Sequence, residues 1–346
     1  MSAGEQGTPG GIGQAPSHPV RKVAGMGAVM VIMMVGVFVP PLVAGLLGFG
    51  AVAGSLVLPT VAALIPAMLG SLRASLIGSA GLTVASALGF LASGNAPAAA
   101  LVMAATSLLM GITCRWGLSK SFLTIPITVG FMVSIPPTLH GDRAVDTATI
   151  VVATLAATLW GCAVGWLLSR RVPSPHHSPE EWSRTWMYAA TLAVLTGIAA
   201  FFSTSIAWGH GGAWFILTVT VVFQPYLNDA AQRSWQRALG TVIGVIVVYG
   251  LHVIIPATWM TLVVGEILML VSMYLLISPQ YPYWLYTAVL TPAILLLVTG
   301  SSPDFLRADV TRLVATLAGA GLAMLAVAIL TPFYRAGDTR AAASPA

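Results

Sequence analysis

Charge is scarce in this chain: of 346 residues only 7% are Asp, Glu, Lys or Arg, while 57% are hydrophobic. A soluble globular protein carries roughly 25% charged residues. So few charges cannot cover the surface of a water-soluble fold this size, which means that much of the exterior meets lipid. Cysteine is equally sparse. Cys114 and Cys162, both beside or within apolar segments, make neither a disulfide framework nor a metal site and read as small core residues. Soluble-enzyme signatures are missing as well: there is no GxxxxGK[ST], HExxH, CxxC or partnered GxSxG. The sequence therefore predicts a non-enzyme without cofactor or metal, and energy from ATP would need another subunit. The net charge of +5 is spread over single residues with no basic run, which argues against a nucleic-acid partner. The Gly/Pro/Ser-rich start lacks a basic segment followed by a short apolar core and cleavage site, so residues 1–22 are expected to be a disordered tail.

What the chain does have is long apolar runs. A bilayer core of about 30 Å needs roughly 20 apolar residues per helix. Spans are expected near 24–46, 49–68, 72–93, 97–114, 121–138 and 147–168, then near 186–204, 208–224, 238–255, 258–278, 283–300 and 311–331. The second and eighth, 49–68 and 208–224, are short, Gly-rich and bounded by prolines, and whether they cross fully is left open. Between the halves, residues 170–184 hold three prolines, His176, His177, Glu180 and Glu181, a polar break that reads as a cytoplasmic linker. The expected domains are thus a tail at 1–22, a six-helix membrane half at 23–169, the linker at 170–184, a second half at 185–332 and a cytoplasmic tail at 333–346. With both termini inside, all of the 15 basic residues except Arg143, Arg307 and Arg312 fall on the cytoplasmic side, as the positive-inside rule requires.

The two halves echo each other. Val152-Ala153-Thr154-Leu155-Ala156 recurs as Val314-Ala315-Thr316-Leu317-Ala318, and at the same offset Asp142 falls on Asp304. Arg73-Ala74 recurs as Arg237-Ala238, each pair opening the third expected helix of its half. The expectation is an all-α integral membrane fold of about twelve transmembrane helices, built as two parallel six-helix repeats. Six is an even number, so both repeats insert alike, related by a pseudo-two-fold axis along the membrane normal.

The stretch from Ala213 to Val245 is the most informative. It contains Trp214-x3-Thr218, then Gln224-Pro225, then Arg233-x3-Arg237-x2-Gly240-Thr241-x2-Gly244. This pattern resembles the core motif of the fusaric acid resistance and aromatic acid exporter superfamily, and the segment opening near Arg312, with Thr316 and Gly319, resembles that family's closing helix. The first half follows the plan loosely, with Arg73 in place of Arg237 and no Gln-Pro or Gly-Thr. The resemblance implies a proton-driven exporter of organic acids and amphiphilic xenobiotics. It also implies kinship with plant malate channels, which are six-helix dimers that two fused halves would mimic. The chain departs from many bacterial members in having room only for a short linker where they carry a large cytoplasmic domain.

Individual residues were weighed on this frame. Glu266 is the only carboxylate in mid-span, where a charge is costly, and it is the candidate for proton coupling; a hydrogen-bonded structural role is its alternative. Arg237, Arg73 and Arg312 are candidates for binding an anion. Ordinary topology explains Arg73 and Arg237 equally well, and Asp309, three residues before Arg312, offers Arg312 a partner on the same face. Trp214 and Tyr286 are the aromatics nominated for a substrate path, the others sitting at span ends as interface belts do. Thr218 and Thr241 complete the candidate set from the motif. His210 reads as an outer loop histidine.

The reading that follows is a secondary active, proton-coupled exporter of small organic acids or amphiphilic aromatic compounds in the bacterial inner membrane, multi-pass, with both termini cytoplasmic. Its partners are the organic anion and the lipid bilayer, with self-association left open. An anion channel on the same scaffold is the first alternative. A membrane-embedded lipid-acting enzyme or assembly factor is the second, opposed by the lack of any cluster of carboxylates or histidines.

Overall fold

A computed structural model describes residues 19–69, 71–137, 141–170, 180–223, 225, 227–254, 258–277, 280–299 and 305–343. Most of the expected tail at 1–22 and of the linker at 170–184, along with Gln224 and Asp304, lies outside the described residues. The described residues form helices and turns with no strand. In order they are α1 (Pro19–Leu46), α2 (Gly50–Ala53), a 3-10 turn at Gly54–Leu56, α3 (Val57–Met68), α4 (Leu72–Ala92) and α5 (Ala96–Ile112). After a 3-10 turn at Thr113–Trp116 come α6 (Ser119–Phe122), α7 (Thr124–Ser134), α8 (Arg143–Ser169), α9 (Trp182–Ser205) and α10 (His210–Val222). The series ends with α11 (Leu227–Ile254), α12 (Thr258–Ile277), α13 (Tyr283–Thr299) and α14 (Phe305–Ala343).

Eight of these segments are long and apolar enough to cross a membrane by length and composition, among the described residues. Their outward faces carry exposed Val35, Leu42, Ile77, Leu101, Leu109, Val152, Val194 and Val253, side chains that water would not favour and lipid does. The expected span at 49–68 is among the eight as Gly50–Met68, with the 3-10 turn inside it, and the one at 208–224 shortens to 13 residues because the chain leaves the helix before Pro225. The one at 121–138 becomes the two short helices α6 and α7. The last candidate span ends at Pro332 while its helix runs on as far as Ala343, and α11 starts at Leu227, ahead of the span expected near 238, so Arg237 lies well inside α11.

Local sequence explains the starts. Asn95 accepts a hydrogen bond from the Ala98 amide at 3.1 Å, with Pro97 in the first turn of α5. Ser71 does the same for α4 through Ala74, and Asp142 for α8 through Ala144. Inside α1, Pro40 has no N–H to give to the Gly36 carbonyl, and the Trp160 indole on α8 donates to that carbonyl at 2.7 Å.

Small residues set the packing. In lipid, helices gain by close backbone approach more than by burial of apolar area. Gly161 and Gly165 on α8 lie against the carbonyls of Thr60 and Leu64, so α3 and α8 run parallel. Gly240 and Gly244 on α11 face Trp284, Thr287 and Thr291, making α11 and α13 parallel. The two ends of the chain interlock through α5 and α9, its most extensive helix pair, which run antiparallel. There a Cβ on Gly111 would stand 2.5 Å from Ala189 Cα, and Thr196 donates to Ser107 at 2.8 Å. The main core joins α4, α5, α7, α9, α10 and α14 through residues such as Leu82, Met103, Val129, Leu192, Ile216 and Ala315.

Gly161→Ala is expected to lower stability by about 1–3 kcal/mol, because the new methyl meets a backbone oxygen rather than a movable side chain. Gly81→Ala, which faces open space, should leave the melting temperature in detergent unchanged or slightly higher.

Candidate functional site

Four helices of the second half bring the most unusual side chains of the molecule together. The origin is again a glycine. Gly319 on α14 stands where a Cβ would be 2.8 Å from Thr218 Cβ on α10, so the two helices touch along one edge and run parallel. Two turns earlier on α14 this contact delivers Arg312 onto Trp214. The guanidinium carbon lies 4.1 Å from the centre of the indole ring, a cation–π contact worth about 2 kcal/mol when desolvated. Trp214 is held from the side by Phe131 of α7, edge to face at 5.5 Å.

Arg312 is 2% exposed and Arg237 is 5% exposed. Arg237, on the third turn of α11, donates to the Tyr283 hydroxyl of α13 at 3.2 Å. One turn earlier Arg233 lies over the Tyr283 ring at 5.5 Å. The charge of Arg237 acts on Arg312, and both act on Tyr286 of α13, so the two arginines belong to one buried neighbourhood that spacing along the chain does not reveal. Nor does Arg237 use Asp229, which is exposed at the start of α11.

Several polar atoms in this cluster have no hydrogen-bond partner: Arg312 Nη1, Arg237 Nε, Thr218 Oγ1 and both carboxylate oxygens of Asp309. Asp309 is 2% exposed. No ion pair closes between it and Arg312, contrary to the same-face pairing that their spacing suggests, although Arg312 is the charge that acts on it. Buried polar groups are normally paired, and an unpaired guanidinium N–H in an apolar bundle is among the costlier exceptions. The arrangement leaves two cations and a hydroxyl with donor capacity to spare, walled by indole and phenol rings. A small anion meets that demand directly.

The remaining nominated residues lie elsewhere or play a packing role. Thr241 is buried on α11 beside the α13 contact. Arg73 opens α4 but is exposed, so the first half has no counterpart of the Arg237 site. Glu266 is half-buried on α12 and is not among the charges acting on Arg312, Tyr286 or Asp309. His210 is exposed at the start of α10. Tyr283 and Asp309 were not nominated from sequence. Tyr283 looked like one of several span-end aromatics, and only its place opposite Arg237 sets it apart.

A hollow of about 630 Å³ opens between α1, α2 and α8. Its walls are apolar, including Val39, Pro40, Val43, Leu47, Val52 and Val152, with Thr149 and Trp160 its polar side chains. The Trp160 N–H is already taken by Gly36, so this hollow suits a hydrocarbon rather than an anion.

The four helices that build the cationic cluster all lie wholly or largely inside one family match. Residues 194–326 match a family model described as fusaric acid resistance protein-like. The domain begins within α9 and ends within α14, taking in Trp214, Arg237, Tyr286, Asp309 and Arg312. Comparison with curated proteins and with solved structures gave no match.

In a double-mutant cycle of Trp214→Leu and Arg312→Met, unfolding in detergent is expected to return a coupling energy of about 1–2 kcal/mol. Additive single effects would contradict the contact.

Proposed function

We propose that this protein is a secondary transporter that moves small organic acids, carboxylates of aromatic or amphiphilic character, outward across the bacterial inner membrane in a step coupled to protons. The observation that carries the reading is the pair of buried guanidinium groups, Arg237 and Arg312, with N–H groups that no protein acceptor satisfies. Burying even one such charge costs several kcal/mol, and a bound carboxylate offsets that cost through charge-assisted hydrogen bonds. Trp214 and Tyr286 give the apolar part of the acid a ring to lie against, and Thr218 adds a hydroxyl. A domain named for resistance to fusaric acid supports outward movement of an acid as its task.

The architecture that serves this task is two six-helix halves, twelve crossings in all, with both termini in the cytoplasm. Two packing pairs support the duplication. Thr60 with Gly161 joins α3 to α8, and Thr218 with Gly319 joins α10 to α14 at one common offset, in the same parallel sense. The close α5–α9 pairing couples the halves, so a change in one is felt by the other. The proton is carried by a carboxylate within the membrane. The sequence nominates Glu266 on α12, and Asp309 lies in the cluster itself.

Labelled benzoate flux in proteoliposomes tests the reading. Arg312→Met and Arg237→Met are each expected to cut the rate about tenfold or more, the equivalent of one lost charge-assisted contact, and an imposed pH gradient should change the wild-type rate. Arginine variants as fast as wild type would refute the site. Flux indifferent to the pH gradient would point to a channel instead.

A further inference from the structure

We infer that the anion and a proton load this site together, with Asp309 as the group that takes up the proton. The inference rests on the anion-transport reading above and adds the sense of its coupling. Asp309 is buried, neither carboxylate oxygen has a hydrogen-bond partner, and the charge acting on it is Arg312. Arg312 in turn has one face covered by Trp214 and an Nη1 with nothing to donate to. A ligand carboxylate that accepts from that Nη1 brings a second negative charge to the guanidinium on which Asp309 depends.

Two carboxylates sharing one cation, in a place water does not solvate, do not both stay ionised cheaply. Asp309 is the one already lacking donors, so it is the one that becomes neutral. The balance is simple: ionised Asp309, one proton from bulk water and one anion give neutral Asp309 with the anion bound, and no net charge enters the site. Among the described residues, the helices packed on α14 bring one further carboxylate, Asp229 of α11, and it is exposed. α11 also brings Arg237 to the cluster, with Arg233 nearer its start and Tyr249 exposed. From α13 come Tyr283 and Tyr286; α10 has exposed His210, and α9 has Arg184 and Tyr188.

This linkage has the sign of co-movement. A carrier that exchanged an incoming proton for an outgoing anion would need the opposite, a proton lost as the anion binds. Outward movement of the acid then draws on the acid's own accumulation rather than on exchange.

Calorimetric titration of benzoate into the purified full chain at pH 7, in phosphate and in Tris, counts the protons exchanged, because the two buffers differ in ionisation enthalpy. Wild type is expected to take up about half to one proton per benzoate bound. Asp309→Asn, neutral by construction, should bind at least as tightly at pH 8 and take up none, while Glu266→Gln should match wild type. Binding without uptake, binding with proton release, or uptake lost in Glu266→Gln and kept in Asp309→Asn would each overturn the inference while leaving an anion site in place. Failure of wild type to bind benzoate would overturn both. If Asp309→Asn does not fold, the wild-type affinity decides: it should weaken about tenfold per pH unit on the alkaline limb, and a flat profile contradicts the role of Asp309.

Discussion

Two guanidinium groups buried in an apolar bundle impose the constraint on which the second half of this molecule depends. Arg237 and Arg312 repel each other, and removing each from water is expensive. The fold meets part of that cost with the Trp214 ring under Arg312 and the Tyr283 hydroxyl at Arg237. What it leaves unmet, the free N–H groups, is the physical basis for an anion site. The glycines then follow as requirements. Gly319 must be small for α14 to place Arg312 over Trp214, and Gly240 and Gly244 must be small for α11 and α13 to bring Arg237 to Tyr283.

The first half has no buried arginine among its described residues. Its α4 presents Ser75, Ser79 and Thr83 to the interior, each hydroxyl bonded to a backbone carbonyl, and Cys162 lies 3.0 Å from the Ser75 hydroxyl. These groups are satisfied within the protein and demand no ligand.

Much of the class and some of the site can be read from the sequence, and the reasons for the rest are physical. The dearth of charge and the length of the apolar runs announce a helical membrane protein, because both follow from the solvent. Trp214, Tyr286 and Arg312 stand out along the chain because their chemistry is rare in a span. The burial of Arg237 is less legible, since α11 begins at Leu227 and hydropathy does not register the polar first turns of a helix that packs against others. Asp309 reads from the sequence as a same-face partner for Arg312, whereas its burial is a property of packing. Glu266 attracted notice for its central position, which hydropathy sees, and the structure places it apart from the cluster.

The central claim is that the second half holds an organic anion between α10, α11 and α14. The most direct test is to locate 4-iodobenzoate in crystals of the protein by the anomalous scattering of iodine. The account predicts one strong site with the carboxylate between Arg237 and Arg312 and the ring beside Trp214. Iodine found only in the apolar hollow between α1 and α8, with the arginine cluster empty at saturating ligand, would contradict it.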